Sequence, residues 1–191
     1  MLKCKALSLT LGMIFLIVLF TSCGEKASSS QQAKQTNVTS ATIFKFYNKV
    51  KIEQTKEEVN AELGVTGTEE TQVKNSFSYV DKQTGYGVSI VFNDTNKVSA
   101  KTLIYPERKD IAFLCGKTYT QAQSDKIKKG TTYEQVKSTL GGGGIEINTT
   151  QIPFDDNKLS YIRIWVNKDG SMIQVVFGTD GTSNNAMFFN S

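Results

Sequence analysis

No histidine occurs among the 191 residues, which limits the chemistry that the side chains can perform. Histidine is the commonest general base at neutral pH, the usual partner of a Ser or Cys nucleophile and the commonest side-chain ligand of transition metals. The acidic pairs Glu57/Glu58 and Asp155/Asp156 fall at a predicted helix end and in a predicted loop. The glycine tract at 141–144 lacks the Lys-Ser/Thr of a phosphate-binding loop, so it is predicted to be a turn. We therefore predict no catalytic residue, no metal ligand and no cofactor.

The stretch "YIRIWV" at 161–166 contains side chains that could recognise another protein. Period-two alternation places the two isoleucines on one face of a strand and Tyr161, Arg163 and Trp165 on the other. Tyr, Trp and Arg are enriched at the energetic centres of protein interfaces, so an open row of them predicts a binding surface. The alternative is that Trp165 belongs to the core and Arg163 extends along it to solvent. On the first interpretation, replacing Trp165 and Arg163 by alanine weakens the binding of a partner and leaves the melting temperature nearly unchanged. A large fall in the melting temperature would instead place Trp165 in the core.

Residues 1–22 have the layout of an export signal, because Lys3 and Lys5 are followed by an uncharged segment with the run "MIFLIVLF". A single transmembrane helix is the alternative, but the run and its flanks barely reach the roughly 20 apolar residues that a span needs. The run ends in "LFTSCG", which resembles the lipobox of bacterial lipoproteins. The resemblance implies cleavage before Cys23, diacylglycerol on its sulfur, and a protein held on the extracytoplasmic side of the bacterial cell membrane.

Residues 23–41 are predicted to be the lipidated cysteine and a flexible tether, since they are rich in Ser, Gln, Lys and Ala and contain no aromatic residue. Cys4 leaves with the signal and Cys23 carries the lipid, so only Cys115 remains and no intramolecular disulfide can form. The apolar neighbours of Cys115 favour a buried thiol over a reactive one. The charge left after removal of the signal is nearly balanced, which argues against a nucleic-acid partner.

The remaining chain repeats a ten-residue frame. "TKEEVNAELG" at 55–64 returns 77 residues later as "TYEQVKSTLG" at 132–141. Each copy has a Thr followed three positions later by Glu or Gln, an apolar i, i+4 pair and a final Gly, which together predict a capped short helix. A helical pattern precedes each frame, clearest at 41–50, and about four alternating strand segments follow it. We predict an α+β protein of two tandem repeats, 42–112 and 113–191, each a helix-loop-helix packed on a four-stranded antiparallel sheet. Edge-to-edge docking of the repeats would join the two sheets.

The segment "KIKKGTTYEQVKSTLG" at 126–141, with its counterpart at 49–64, resembles the repeated motif of the beta-lactamase inhibitory protein family. The resemblance extends over nearly all of the folded part and implies the same tandem architecture. In that family a hairpin of the first repeat carries an Asp into the active site of the enzyme. The corresponding hairpin here is 80–87, which offers Asp81 and Tyr86. The family has a disulfide in each repeat, and this chain departs from it there.

These features together predict a membrane-anchored extracytoplasmic lipoprotein that acts as a protein-binding module and is not an enzyme. The expected partner is a beta-lactamase or another cell-wall enzyme. The lipidation site is Cys23, and the predicted protein-binding residues are Asp81, Tyr86, Tyr161, Arg163 and Trp165. The alternative is a structural or assembly lipoprotein of the cell envelope without inhibitory activity. Slowing of a class A beta-lactamase in a nitrocefin assay distinguishes the two.

Overall fold

The computed structural model describes residues 38–191. The predicted signal, Cys23 and the tether up to residue 37 lie outside the described residues, and the last predicted tether residues belong to the first helix. Within residues 38–191 no helix is long and apolar enough to cross a membrane. The described helices are α1 (Ser40–Ile43), α2 (Lys56–Leu63), α3 (Gln121–Ser124) and α4 (Tyr133–Leu140), together with a 3₁₀ segment (Arg108–Leu114). The strands are β1 (Thr68–Glu69), β2 (Ser76–Val80), β3 (Gly87–Phe92), β4 (Val98–Ile104), β5 (Ile145–Ile152), β6 (Lys158–Val166), β7 (Met172–Phe177) and β8 (Ser183–Phe189).

All eight strands form one antiparallel sheet, in which each strand pairs with its neighbours in chain order. The prediction of two helix-plus-sheet repeats is therefore wrong: the fold is mainly a single open β-sheet with a few short helices. Strands β4 and β5 pair at Ala100↔Thr150, Lys101↔Thr149 and Thr102↔Asn148, so the hydrogen-bonded ladder continues where a boundary between two sheets was expected. About four strand segments were predicted in each half of the chain, and four are found in each, because period-two alternation is a local signal.

The two capped helices predicted from the repeated frame are present. Thr55 and Thr132 each accept a hydrogen bond from the backbone N–H three residues later, and the Glu58 and Gln135 side chains accept one from the Thr backbone N–H in return. Both capping boxes are thus complete, and each satisfies two otherwise unpaired backbone donors. The helices end at glycines in the left-handed conformation, with φ 67° and 70°. Both helices are only eight residues long.

A helix was predicted over 41–50, but only the four-residue helix α1 forms there. The rest of the segment is a series of turns. Aromatic residues crowd this segment, and they are weaker helix formers than Leu or Ala. A side chain from the sheet also takes two of the carbonyls: the Lys101 ammonium donates to the backbone oxygens of Tyr47, at 3.1 Å, and Val50, at 2.9 Å. The segment therefore packs as a series of turns on the sheet, with Ile43, Phe46, Tyr47 and Val50 buried.

Both α2 and α4 cover the same face of the sheet. One row of cross-strand partners shows this, running from β2 to β7: Phe77, Ile90, Lys101, Thr149, Tyr161 and Phe177. Partners directly opposite each other point to the same side of the sheet. Ile90 is buried in one cluster with Val59 and Leu63 of α2, and Phe177 is buried in a second cluster with α4. We call this side the helix face.

The buried apolar residues form two clusters, which meet at β6. The first joins the turn segment, α2 and strands β2 to β4, and it also contains Ile164 and Val166 of β6 with Ile111 and Ala112 of the 3₁₀ segment. The second lies under α4 and contains Trp165. Neighbouring residues of β6 thus enter different clusters, as alternation along a strand requires. This end of β6 is buried on both sides, which explains why its sequence is apolar at every position from Ile164 to Val166.

Candidate functional site

A groove opens on the helix face beside the turn segment at 43–52. It consists of two adjoining hollows of about 430 and 370 Å³ that share Asn48 and Glu146. Strands β4, β5 and β6 form its floor. The groove is lined at one end by Phe44, Leu114 and Arg163, and at the other by Lys101, Thr149, Leu159 and Tyr161. We call it the interlayer groove, and it contains two of the residues that the sequence predicted for protein binding, Tyr161 and Arg163.

Glu146 joins the two sides of the groove. Its carboxylate accepts hydrogen bonds from the Tyr47 hydroxyl at 3.1 Å and the Thr149 hydroxyl at 2.9 Å. Its other oxygen lies 3.2 Å from the Arg163 guanidinium. Burial raises the pKa of the Tyr47 hydroxyl far above its ordinary value, so this residue stays a neutral hydrogen-bond donor. Both oxygens of the carboxylate are bound by protein groups, which fixes the positions of the surrounding polar side chains.

Lys101 lies in the middle of β4 on the helix face, where an apolar residue would be usual. Its ammonium donates to two backbone carbonyls of the turn segment and lies 4.2 Å from the centre of the Tyr47 ring. Burial lowers the pKa of the Lys101 side chain. The carbonyls and the ring provide the compensation that a partly buried ammonium requires. Lys101 therefore fastens the turn segment to the sheet and defines one wall of the groove.

Arg163 is held against aromatic rings at the opposite wall. Its guanidinium carbon lies 4.8 Å from the Tyr133 ring centre and 5.8 Å from the Tyr161 ring centre. Tyr161 stacks on Phe177 at 4.8 Å with an interplanar angle of 16°. Burial raises the pKa of the Tyr161 hydroxyl. Tyr161 and Arg163 are both half-buried, so each presents one side to the groove and uses the other for packing. Ordered rings and a fixed cation suit recognition, because little side-chain entropy remains to be lost.

The glycine tract is the turn that was predicted, and its carbonyls hold the neighbouring side chains. The Gly143 carbonyl accepts from Arg163 at 3.0 Å and from the Tyr133 hydroxyl at 3.1 Å. The Gly142 carbonyl accepts from the indole N–H of Trp165 at 2.8 Å. Glycines allow the backbone to approach the ring this closely. The tract therefore acts as a set of backbone acceptors behind the groove.

The prediction that Tyr161, Arg163 and Trp165 form an open row is wrong. All three lie on the helix face, because Tyr161 belongs to the row of cross-strand partners that α2 and α4 cover. Trp165 is 0% exposed and packs in the cluster under α4. The alternative interpretation, with Trp165 in the core, is confirmed. Trp165 thus supports the groove from behind and is not available to a partner.

The β2–β3 hairpin also differs from its prediction. Tyr86 is 4% exposed and belongs to the first apolar cluster, so it is not presented to a partner. Asp81 accepts hydrogen bonds from Lys45 at 2.9 Å and from the Gln83 backbone N–H at 3.0 Å. The Lys45 contact holds the pKa of the Asp81 carboxyl below its usual range. Asp81 lines a different hollow, which shares no residue with the interlayer groove.

Lys101, Glu146 and Leu159 are among the groove residues that sequence reasoning missed. A signal existed for Lys101, since it has the same parity as Leu103 in β4 and must point to the same side. Leu159 is 44% exposed although it begins the same β6 face as Tyr161. Glu146 carried no local signal, because a bulge between Glu146 and Asn148 shifts the register at this point of β5.

Comparison with models of known protein families finds no match for this chain, and a search of curated protein sequences finds none either.

Proposed function

We propose that this protein is a membrane-anchored extracytoplasmic lipoprotein that binds a protein partner in the interlayer groove. The observation that carries the proposal is the strip of β6 that lines the interlayer groove, where the exposed Leu159 and the half-buried Tyr161 and Arg163 follow one another on the helix face. An exposed Leu, an ordered Tyr and an Arg held by a carboxylate combine apolar area with directional donors. This combination is characteristic of the centres of protein interfaces.

The dimensions of the groove favour a polypeptide loop over a small metabolite. Its two hollows adjoin at Asn48 and Glu146, and both are open to solvent. A small-molecule site normally encloses most of its ligand. A loop of a cell-wall enzyme such as a beta-lactamase, inserted into the interlayer groove, would contact the side chains of Leu159, Tyr161 and Arg163 at once. The resemblance of the 126–141 motif to the beta-lactamase inhibitory protein family supports this partner class.

Membrane anchoring rests on Cys23 and the apolar run before it. Mass spectrometry of the chain isolated from a bacterium that produces it should find a mature amino terminus at Cys23 that carries acyl groups. An uncleaved terminus in the membrane fraction would show that the run is a transmembrane helix instead.

Binding is tested by replacing Leu159 with aspartate. A class A beta-lactamase is titrated with the full chain in a nitrocefin assay, and we expect the inhibition constant of Leu159→Asp to rise about tenfold or more. The change places a charge where apolar contact is proposed, and the native side chain is exposed enough for the fold to tolerate it. Thr139→Asp, at an exposed position of α4, is the matched control and should inhibit as the unmodified chain does.

Photocrosslinking extends the test to other enzymes of the envelope. With p-benzoylphenylalanine at position 159, we expect irradiation of intact cells to give one discrete adduct that the same label at position 139 does not give. Absence of any adduct at position 159, together with absence of inhibition, would contradict groove binding and favour the structural lipoprotein.

A further inference from the structure

The β5–β6 hairpin ends in a large apolar side chain that nothing within residues 38–191 covers. Phe154 is 85% exposed, more than any other large hydrophobic residue of the described chain. Beside it lie the acidic residues Asp155 and Asp156. The hairpin also extends past the adjacent strands, since β7 pairs with β6 only as far as Tyr161. An exposed phenylalanine at the end of a projecting hairpin marks an interaction site more strongly than a scattered surface residue does.

The hairpin tip is held in one conformation. Asp155 accepts a hydrogen bond from the Thr179 hydroxyl in the β7–β8 turn and pairs with Lys158 at 3.1 Å. The hydrogen bond from Thr179 makes the larger contribution and the contact with Lys158 the next. Together they hold the pKa of the Asp155 carboxyl below its ordinary value. Two backbone hydrogen bonds close the turn: the Asp155 N–H donates to the Ile152 carbonyl at 3.1 Å, and the Lys158 N–H donates to the Asp155 carbonyl at 2.9 Å. A tip ordered before contact loses little conformational entropy on binding.

The opposite end of β6 adjoins a cleft with complementary properties. The cleft has a volume of about 690 Å³ and is lined by Phe113, Gly116, Lys117 and Lys168, among others. Phe113 is 54% exposed, so the cleft offers an aromatic surface. Lys117 and Lys168 are exposed, and neither forms an ion pair with another described residue. Asp169, the acid in the cleft, is exposed and accepts two hydrogen bonds from Ser171.

The tip and the cleft cannot meet within one molecule. The tip immediately precedes Lys158, where β6 begins, and the cleft includes Asn167, which follows its last residue. A nine-residue strand separates the two by about 30 Å. We propose that the tip of one copy enters the cleft of a second copy, with Phe154 against Phe113 and Asp156 facing Lys168. This contact goes beyond the binding of a different protein in the interlayer groove.

The proposed contact joins two different surfaces, so it is heterologous. A joined pair keeps one free tip on one copy and one free cleft on the other, and association therefore continues as a head-to-tail chain unless a ring closes. A twofold dimer, in contrast, would use the same surface on both copies and stop at two. The stoichiometry consequently distinguishes the proposed contact from other modes of self-association.

Sedimentation equilibrium of the full chain in a density-matched detergent tests the proposal. We expect the mean mass to rise steadily with concentration up to ~1 mM, beyond that of a dimer. Phe154→Ala removes the tip and Lys168→Glu alters the cleft, and each is expected to weaken association about tenfold or more. Both positions are exposed, so circular dichroism should show an unchanged fold.

Mixing the two variants gives the sharper result. The Lys168→Glu copy retains its tip and the Phe154→Ala copy retains its cleft, so a mixture should form dimers and nothing larger. Adding Asp156→Lys to the Lys168→Glu chain reverses both charges and should restore association. The proposal is overturned if the unmodified chain stays monomeric, or if the mixture of variants does not associate.

Discussion

Replacement of Trp165 by alanine is expected to lower the free energy of unfolding by about 3–5 kcal/mol. Its side chain is fully buried between α4 and β7, in a cluster with Leu140 and Ile173. Truncation would leave a cavity that the surrounding side chains fill only in part. It would also leave the Gly142 carbonyl without the indole donor that it now accepts at 2.8 Å. Equilibrium unfolding in urea, followed by circular dichroism, measures the change.

Two comparisons assign the effect to burial. Trp165→Phe keeps an aromatic ring and should cost less than the alanine variant, although the Gly142 carbonyl still loses its donor. Leu159→Ala lies on the same face of β6 at an exposed position and should cost less than about 1 kcal/mol. A Trp165→Ala protein that unfolds like the unmodified chain but fails to bind a partner would restore the open-row interpretation.

The strands and the helix caps could be predicted because their signals are local. The box between Thr55 and Glu58 lies within one helical turn, and the alternation of β3 is visible in six residues. The side of the sheet to which β6 turns Trp165 could not be predicted in this way. The alternation predicted that Ile164 and Val166 face the core, and both are buried. They pack under the 3₁₀ segment, however, and not under α4. When a strand has apolar residues on both sides, its sequence does not show on which face of the sheet the helices pack.

The division into two sheets failed for a related reason. The strands on either side of the expected boundary pair over only three residues, and none of these pairs is an apolar match that the sequence would reveal. Lys101↔Thr149 instead joins two polar residues on the helix face, where they meet Tyr47 and Glu146. The interlayer groove arises from this junction. A site formed where distant segments meet carries little signal in either segment alone.

The glycine that precedes β5 gives a second large expected effect. Gly144→Ala should lower the free energy of unfolding by about 2–5 kcal/mol, the sum of two costs. Its backbone has φ 64°, a left-handed conformation that a residue with a Cβ adopts at a cost of about 1–2 kcal/mol. An added Cβ would also lie 2.6 Å from Cε2 of the Trp165 ring and 2.8 Å from two further ring atoms. The ring is fully buried and cannot move aside, so the overlap should cost about a further 1–3 kcal/mol.

Gly64→Ala separates the two costs. Gly64 has φ 67°, and a Cβ there would meet no heavy atom within 4 Å, so this variant should show the backbone cost alone. The steric cost is isolated by repeating Gly144→Ala in a Trp165→Leu background, where the indole is absent. In that background Gly144→Ala should lower the free energy of unfolding by no more than Gly64→Ala does. The difference from its effect in the unmodified chain is a coupling energy of about 1–3 kcal/mol between positions 144 and 165. Additive losses in urea unfolding would mean that contact with the ring is not what requires glycine at position 144. A measured coupling would instead show that Trp165 is buried as tightly as the structure places it.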